Sequence, residues 1–573
     1  MINLVIDLLV LILVLILTCA ALLGWGNLTW RCLGMSLPTK LSTLTIWLGF
    51  CVVLSVLELI HLFVPIDWSV TIGIAAVGCF GLWYKTTPPI QDVLNGLIVA
   101  LKRYPWQSLI IAIMILLWCM RVMGTPNNYD SGLYHFQSIR WLNEQPIVLG
   151  LGNLHWRLAL NQAYFGFLAL LNVAPFWNKG YAAGGLFLLL LTLLTVIEIG
   201  QKQSAQWKLS IGIVLFISLG LVAASTVNPS PDNAVTLLEI VLFLYLLNLV
   251  RNVSKGSQID ANFVHCARAI LFLCIAVVLI KLSSVGFALG SVLCVVLLLI
   301  FTKSFASVMS LRMIIILSLF IFIHLLRGYL LSGAPLFPST ILGAWDLSWA
   351  VPKHIAIFET DFIFSWARHP GVEFFNQTAL ADGWFIAWLT NLSPLIKWMF
   401  AVSTLLMLIN GVRLMKGKDS QGCRAEYLLY LPILCGLFFW FMSAPDVRFL
   451  GAVLTLYFAL SVYLTFQNLS LNTAQRLKAQ STRSARYIEI CVLTIVVLIS
   501  LRYLGMSSLS VNGWSEVTQI KTEISRTQTG QVINIPARGN QCWDSALPCA
   551  SIFNDALRFE RSRAYTIFSV KPE

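Results

Sequence analysis

Charge is what this chain of 573 residues has least of: only 11% of its side chains are Asp, Glu, Lys or Arg, against 58% hydrophobic, and mean hydropathy is +0.82. That scarcity excludes a soluble domain, in which about a quarter of the residues are charged. The marks of several enzyme classes are also missing. There is no G-x-S-x-G elbow, no Gly-rich phosphate loop with its Lys, no H-E-x-x-H and no C-x-x-C pair at metal spacing, so nucleophile-elbow, nucleotide and zinc-protease chemistries drop out. No Lys or Arg precedes the first apolar run, 1–23, and no small-residue cleavage site follows it. It reads as a retained span and not as a signal peptide. The formal charge of +13 marks no basic face, because Lys and Arg are scattered between apolar runs, and nucleic acid is not expected as a partner.

What the chain does have is length of apolar sequence. Runs of about 17–25 residues, each able to cross a bilayer as a helix, recur from end to end. Fourteen spans are expected, near 3–24, 43–64, 68–84, 107–124, 182–199, 209–226, 232–250, 267–282, 285–302, 312–330, 395–412, 427–443, 449–466 and 488–505. One further apolar piece, 163–176, is shorter than the ~20 residues a crossing needs and ends in Pro-Phe-Trp. Charge decides its placement, since Lys and Arg collect in cytoplasmic loops. If the piece does not cross, Arg31, Lys40, Lys85, Lys102, Arg103, Lys202, Lys208, Arg251, Lys255, Arg268, Lys303, Arg312, Arg413, Lys416, Lys418, Arg424, Arg476, Lys478, Arg483 and Arg486 all share one side. It is therefore expected to be re-entrant or interfacial, with both termini extracytoplasmic. On the same outer side fall the polar loop after the fourth span, Lys281, the segment 327–394, the turn 445–448 and the C-terminal tail. Cys542 and Cys549 in that tail are then placed to form a disulfide in an oxidising compartment; most other cysteines lie in apolar runs and read as small buried side chains.

The segment 125–161 is the one place where ionisable and amide side chains gather, with Asp130, His135, Arg140, Glu144, His155 and Arg157 between hydrophobic flanks. So long a polar loop between spans marks a functional loop. Asp130 precedes a helical pattern, Leu133, Phe136, Ile139 and Leu142. It reads either as a helix N-cap or as a carboxylate that deprotonates an acceptor hydroxyl or holds a divalent ion, Mg or Mn. His135 reads as a buried hydrogen-bonded histidine or a second catalytic group. Arg140 and Arg157, on the side that disfavours cations, call for a partner such as a phosphate. Asp232 and Lys281 sit at span ends, Arg327 closes another, and Asp446 and Arg448 form either a local ion pair or part of a polar site. Trp345, Trp349, Trp366 and Trp384, with Asp346, Asp361 and Asp382, suit a membrane belt or a platform for a sugar ring.

Many spans, a long first loop carrying an acid, and polar groups on the outer face together resemble the GT-C superfamily of polyprenyl-phosphate-sugar-dependent glycosyltransferases. The strings YDSGLYH (129–135), GNLHWRLALN (152–161), PSPDN (229–233), KLS (281–283), SGAPLFPS (332–339), PDVRF (445–449) and QCWDSALPC (541–549) more closely resemble a group of uncharacterised bacterial integral membrane proteins, over about 107–573. The resemblance implies an all-α polytopic protein, a GT-C-like bundle of about 14 transmembrane helices with re-entrant or interfacial helices. Its parts would be N-terminal helices over 1–106, a core over 107–505 with outer loops 125–181 and 327–394, and a small outer segment over 506–573. It also implies Asp130 as general base assisted by His135, Arg140, Arg157, Lys281, Arg327 and Arg448 as donor-phosphate ligands, and Tyr134, His155, Asn161, Asp232 and Asp446 as substrate contacts. The implied partners are the bilayer of a bacterial inner membrane, a polyprenyl-phosphate sugar, and a glycan, lipid or protein acceptor. The chain departs from the acidic pair common in that loop, because Ser131 follows Asp130. A flippase for lipid-linked sugars and a surface-polysaccharide polymerase or ligase are the alternatives.

Overall fold

The computed structural model describes residues 2–38, 42–83, 102, 105–201, 203–204, 207–254, 260–369, 383–416, 421–477, 509–561 and 565–570. The helices run α1 (Ile2–Cys32), α2 (Thr43–His61), α3 (Trp68–Trp83), α4 (Pro105–Val122), α5 (Phe136–Glu144), α6 (Tyr164–Asn172), α7 (Gly180–Gln201), α8 (Ile213–Ser225) and α9 (Pro231–Ser254). They continue as α10 (Ala261–Ile280), α11 (Val285–Phe301), α12 (Leu311–Ser332), α13 (Lys353–Arg368), α14 (Trp384–Asn391), α15 (Pro394–Met415), α16 (Tyr430–Ser443) and α17 (Val453–Leu477). Among the described residues ten helices are long and apolar enough to cross a membrane, and three shorter apolar ones coincide with α3, α8 and α17. These account for every expected span except 488–505, which lies outside the described residues. The protein is an all-α membrane protein in its main body.

Helix burial follows side-chain character. α2, α9 and α10 are mostly apolar and sunk in the bundle, whereas α1 and α15 leave most of their apolar surface uncovered, as helices facing lipid do. Close approach of α1 and α3 depends on Gly24 and Gly78: a Cβ on Gly24 would stand 1.8 Å from the Gly78 carbonyl oxygen, so only a small residue lets these backbones touch. The ambiguous apolar piece becomes α6, nine residues and wholly buried. At 1.5 Å per residue it spans about 14 Å, less than half a hydrocarbon layer. It ends at Val173 in the left-handed conformation, followed by a cis Ala174–Pro175 bond.

The C-terminal segment adds two small sheets to the helical body. It folds as two antiparallel hairpins, β1 (Thr522–Arg526) with β2 (Val532–Pro536) and β3 (Leu557–Arg561) with β4 (Thr566–Val570). In register, Thr522 faces Pro536 and Leu557 faces Val570. Cys542 and Cys549 are joined between the hairpins. The β-structure docks on the loop after α4: Phe568 N–H donates to the Leu149 carbonyl (2.9 Å), Leu149 N–H to the Thr566 carbonyl (3.0 Å), and Trp543 N–H to the Gly132 carbonyl (2.8 Å). The Gln137 amide donates to the carbonyls of Trp543 (3.0 Å) and Ser545 (2.9 Å). The disulfide-closed loop therefore grips the chain just after Asp130, at Gly132 and Gln137.

Candidate active site

The backbone leading out of α4 is fixed before any side chain is aimed. Asn228, in the turn before α9, accepts from the N–H groups of Asn127 (2.9 Å) and Asn128 (3.0 Å) and donates to Asn127 Oδ1 (3.1 Å). Asn128 Oδ1 in turn accepts from Asp130 N–H at 2.8 Å, an Asx turn. A π turn, Ser131–His135, follows, and Asp130 makes no side-chain capping bond to it. The capping role expected of Asp130 is thus not used, and its carboxylate is free for other partners. Oδ1 accepts from Arg157 Nη1 (3.2 Å) and Oδ2 pairs with Arg448 Nη2 (2.9 Å).

Each arginine is set by a short turn of its own. Arg157 lies in a 3-10 turn, Trp156–Ala159, capped by His155, whose Nδ1 accepts from Arg157 N–H at 3.3 Å. Its Nε donates to Glu359 Oε1 (3.2 Å), and Trp156 Nε1 donates to the other Glu359 oxygen (2.7 Å). Arg448 lies in a second 3-10 turn, Val447–Leu450, capped by Asp446, whose Oδ1 accepts from Arg448 N–H at 2.9 Å. Arg448 Nε also faces Asp232 Oδ2 at 3.4 Å, and Lys281 pairs with Asp232 Oδ1. Lys281 further lies over the Phe449 ring, 4.4 Å from its centre. Glu239, two turns along α9 from Asp232, joins these parts from below: it accepts from Ser284 Oγ (2.7 Å) and from Ala452 N–H (2.7 Å). It so ties the turn after Lys281 to the turn that carries Arg448.

The result is a chain of ion pairs, Glu359–Arg157–Asp130–Arg448–Asp232–Lys281, with three carboxylates and three cations. Burial alone would lower the Arg157 and Arg448 guanidiniums, but Glu359 and Asp130 around the first, and Asp232 and Asp130 around the second, hold both above their ordinary values. Burial pushes the Glu359 carboxyl up, with Arg157 and Trp156 opposing. Tyr134, walled in beside Asp130, is raised by burial and stays protonated. Arg448 is the most open member, its side chain 46% exposed while that of Asp130 is 9% exposed.

Not every candidate residue joins this chain. His135 lies within the field of Asp130 and Asp232, but burial lowers it to about 4, so its ring is neutral and packs on Tyr134 and Phe165. Burial likewise lowers His155 to about 3; it stacks on Trp156 with 5.0 Å between ring centres and caps a turn. Asp446 caps its own turn, and the local Asp446–Arg448 ion pair gives way to Arg448 reaching Asp130. Arg140 points elsewhere, pairing with Glu144 and donating to the Asp544 carbonyl at 2.6 Å. Arg327 pairs with Asn161, whose amide donates to the His324 carbonyl (2.7 Å), and His324 meets Glu58 at 2.8 Å. That is a second buried polar cluster with partners of its own. Among the four tryptophans of the segment 327–394, Trp345 and Trp349 pack on Tyr329 and Trp384 on Trp388; Asp382 lies outside the described residues. A divalent cation does not suit the donors: both Asp130 oxygens are engaged by guanidiniums, and among the described residues no three His, Cys, Asp or Glu converge.

Glu359, Glu239 and Glu58 were not among the sequence candidates. Glu359 is 2% exposed in the amphipathic α13. Its one legible signal is a position three residues after Ala356 on the buried face, which Asp361 does not share.

The family described as Domain of unknown function (DUF8201) matches residues 8–455. The chain belongs to that family. No curated protein and no solved structure matches it. All six members of the ion-pair chain fall within the part matched by the DUF8201 family, whereas the disulfide-bearing β segment that grips the loop of Asp130 lies beyond it.

Proposed function

We propose that the protein is a membrane glycosyltransferase of GT-C type, moving a sugar from a polyprenyl-phosphate donor to an acceptor hydroxyl, with Asp130 as general base. One observation carries the reading: Asp130 is held between two arginines drawn from distant loops, one of them open to solvent, at the ends of apolar helices. Ionisable groups so placed in a membrane protein face a polar ligand. The donor phosphate is an acceptor that competes with carboxylates for the same guanidinium forks. As Arg448 and Arg157 turn to the phosphate, Asp130 loses its counter-charges, and a carboxylate relieved of cations takes up a proton more readily. Donor arrival and base activation are thereby coupled. Asp130 then removes the proton of the acceptor hydroxyl while that oxygen bonds to the anomeric carbon. The carbon–phosphate-oxygen bond breaks, its electron pair leaves with the polyprenyl phosphate, and Arg448 and Lys281 stabilise the departing charge.

The test uses full-length protein in lipid with a panel of radiolabelled polyprenyl-phosphate sugars and envelope acceptors, following release of the lipid phosphate. Asp130→Asn is expected to lower transfer by about a hundredfold or more with insertion and folding intact. Wild-type activity in that variant would remove Asp130 from the chemistry, and sugar crossing the membrane without lipid release would make the protein a flippase.

A further inference from the structure

A cavity of about 460 Å³ lies between α5, the turn before α3, the end of α6, the start of α7 and the C-terminal segment. Its size is that of a small-molecule site, and it is separate from the ion-pair chain. Three carboxylates line it, Asp67, Glu144 and Asp544, against the single guanidinium of Arg140. Lys179, at the edge, reaches Asp544 electrostatically but lies over the Trp514 ring at 5.9 Å. The wall is therefore net negative and rich in acceptors. Burial pushes the Asp544 carboxyl above its ordinary range, Arg140 opposing and Glu144 adding to the rise. A second, independent observation points to a ligand. Tyr181 lines the cavity, is 2% exposed, and its hydroxyl has no hydrogen-bond partner among the described residues; a buried hydroxyl left unpaired is costly unless something occupies the space beside it. Trp68, on the rim and 44% exposed, packs edge-on to Phe176 with ring centres 6.2 Å apart, an aromatic pair suited to the headgroup level.

We propose that this cavity binds an organic primary ammonium group. The cation would neutralise Asp544, donate to the Tyr181 oxygen and rest against the aromatic wall of Trp68, Phe136 and Tyr181. Anionic groups such as the donor phosphate are repelled by the same wall, so the two sites sort ligands by charge. The inference does not depend on the glycosyl-transfer reading. Two sources share the chemistry: the aminoethyl headgroup of a lipid, and a free amine such as an amino sugar.

Native mass spectrometry of the detergent-solubilised full chain distinguishes them, with phosphatidylethanolamine, phosphatidylglycerol, glucosamine and glucose as probes. Retention of phosphatidylethanolamine about tenfold above phosphatidylglycerol identifies the lipid source. Retention of glucosamine about tenfold above glucose, without lipid preference, identifies the soluble one. Tyr181→Phe, which keeps the ring, and Asp544→Asn are each expected to cut that preference about fivefold to tenfold. Equal retention of amine and non-amine probes, or a preference untouched by both variants in folded protein, overturns the proposal.

Discussion

Glu359 gives the sharpest test of how the ion-pair chain is held. Its carboxylate accepts from Trp156 at 2.7 Å and from Arg157 at 3.2 Å, and it is almost fully buried with Arg157 at 17% exposure. Glu359→Ala would leave a guanidinium and an indole N–H facing a hole, and removing one partner of a buried pair costs about 3–5 kcal/mol. Arg157 retains Asp130 and is partly open to water, so the lower end of that range, about 3 kcal/mol, is expected. Glu359→Gln keeps one acceptor oxygen and is relieved of burying a charge, an expense already visible in the raised carboxyl. It should cost only about 1–2 kcal/mol. The assay is equilibrium unfolding in mixed micelles, extended to a double-mutant cycle with Arg157→Met, whose coupling should exceed about 1 kcal/mol. A coupling near zero, or an alanine variant as stable as the parent, would refute the claim that Glu359 positions Arg157.

Three other outcomes are checkable. The buried histidines make the folded state acid-sensitive: both are lowered, His135 to about 4 and His155 to about 3, so their contribution is complete above the ordinary pKa of about 6.5 and is lost as pH falls from there through those values. His155→Asn should flatten the fall in unfolding midpoint between about pH 6 and pH 4; an unchanged pH dependence would show that the ring is not neutral in the fold. Reduction of Cys542–Cys549, or Cys542→Ser with Cys549→Ser, should raise amide hydrogen exchange over 129–137 while α9 and α10 stay protected, because the closed loop supplies partners to Gly132 and Gln137; equal exchange with and without the bridge argues against a clamp. Gly132→Ala should cost about 1–3 kcal/mol by the same unfolding assay, since its Cβ would stand 2.5 Å from the Trp543 ring, and a neutral result would mean that the tail sits farther away.

The parts of the fold legible in the sequence are those set by local composition. Every span with a described counterpart was marked by an apolar run longer than any soluble core helix requires, and α6 was marked as too short to cross by counting residues alone. The tail was not readable as sheet, because its strands are only five residues long and depend on pairing with partners five to fourteen positions away, across the connecting loops. The site divides along the same line. Asp130, Asp232, Lys281 and Arg448 stood out because charge at the end of an apolar run is costly and so conspicuous. Arg140 and Arg327 stood out equally and yet have partners elsewhere, since which side of a helix a charge faces depends on the packing and not on the run. Arg140 looks toward Glu144 and Asp544 because α5 turns Phe136, Ile139 and Arg140 to one cavity and Ser138, Trp141 and Leu142 to another.

Charge balance explains why so many ionisable groups are tolerated beside lipid. An uncompensated charge in a membrane protein costs several kcal/mol, and each additional one compounds the expense, yet the chain from Glu359 to Lys281 alternates in sign at every step and sums to zero. Under the proposed transfer reaction, an arriving phosphate breaks that alternation. It adds negative charge, and at least one carboxylate must take up a proton or let go of its cation for neutrality to return. Asp130 and Asp232 each lie between two cations, but both partners of Asp130 turn to the ligand, so its proton affinity rises most: it takes the hydroxyl proton where an acceptor is bound and a solvent proton where inorganic phosphate binds alone. Asp232 keeps Lys281 in either state. The expected asymmetry is therefore measurable: Asp232→Asn frees Lys281 and Arg448 together and should tighten the binding of inorganic phosphate by about fivefold to tenfold, whereas Asp130→Asn should tighten it as well but remove the coupled proton uptake seen in calorimetry across buffers of different ionisation enthalpy. Proton uptake that survives Asp130→Asn would place the base elsewhere in the chain.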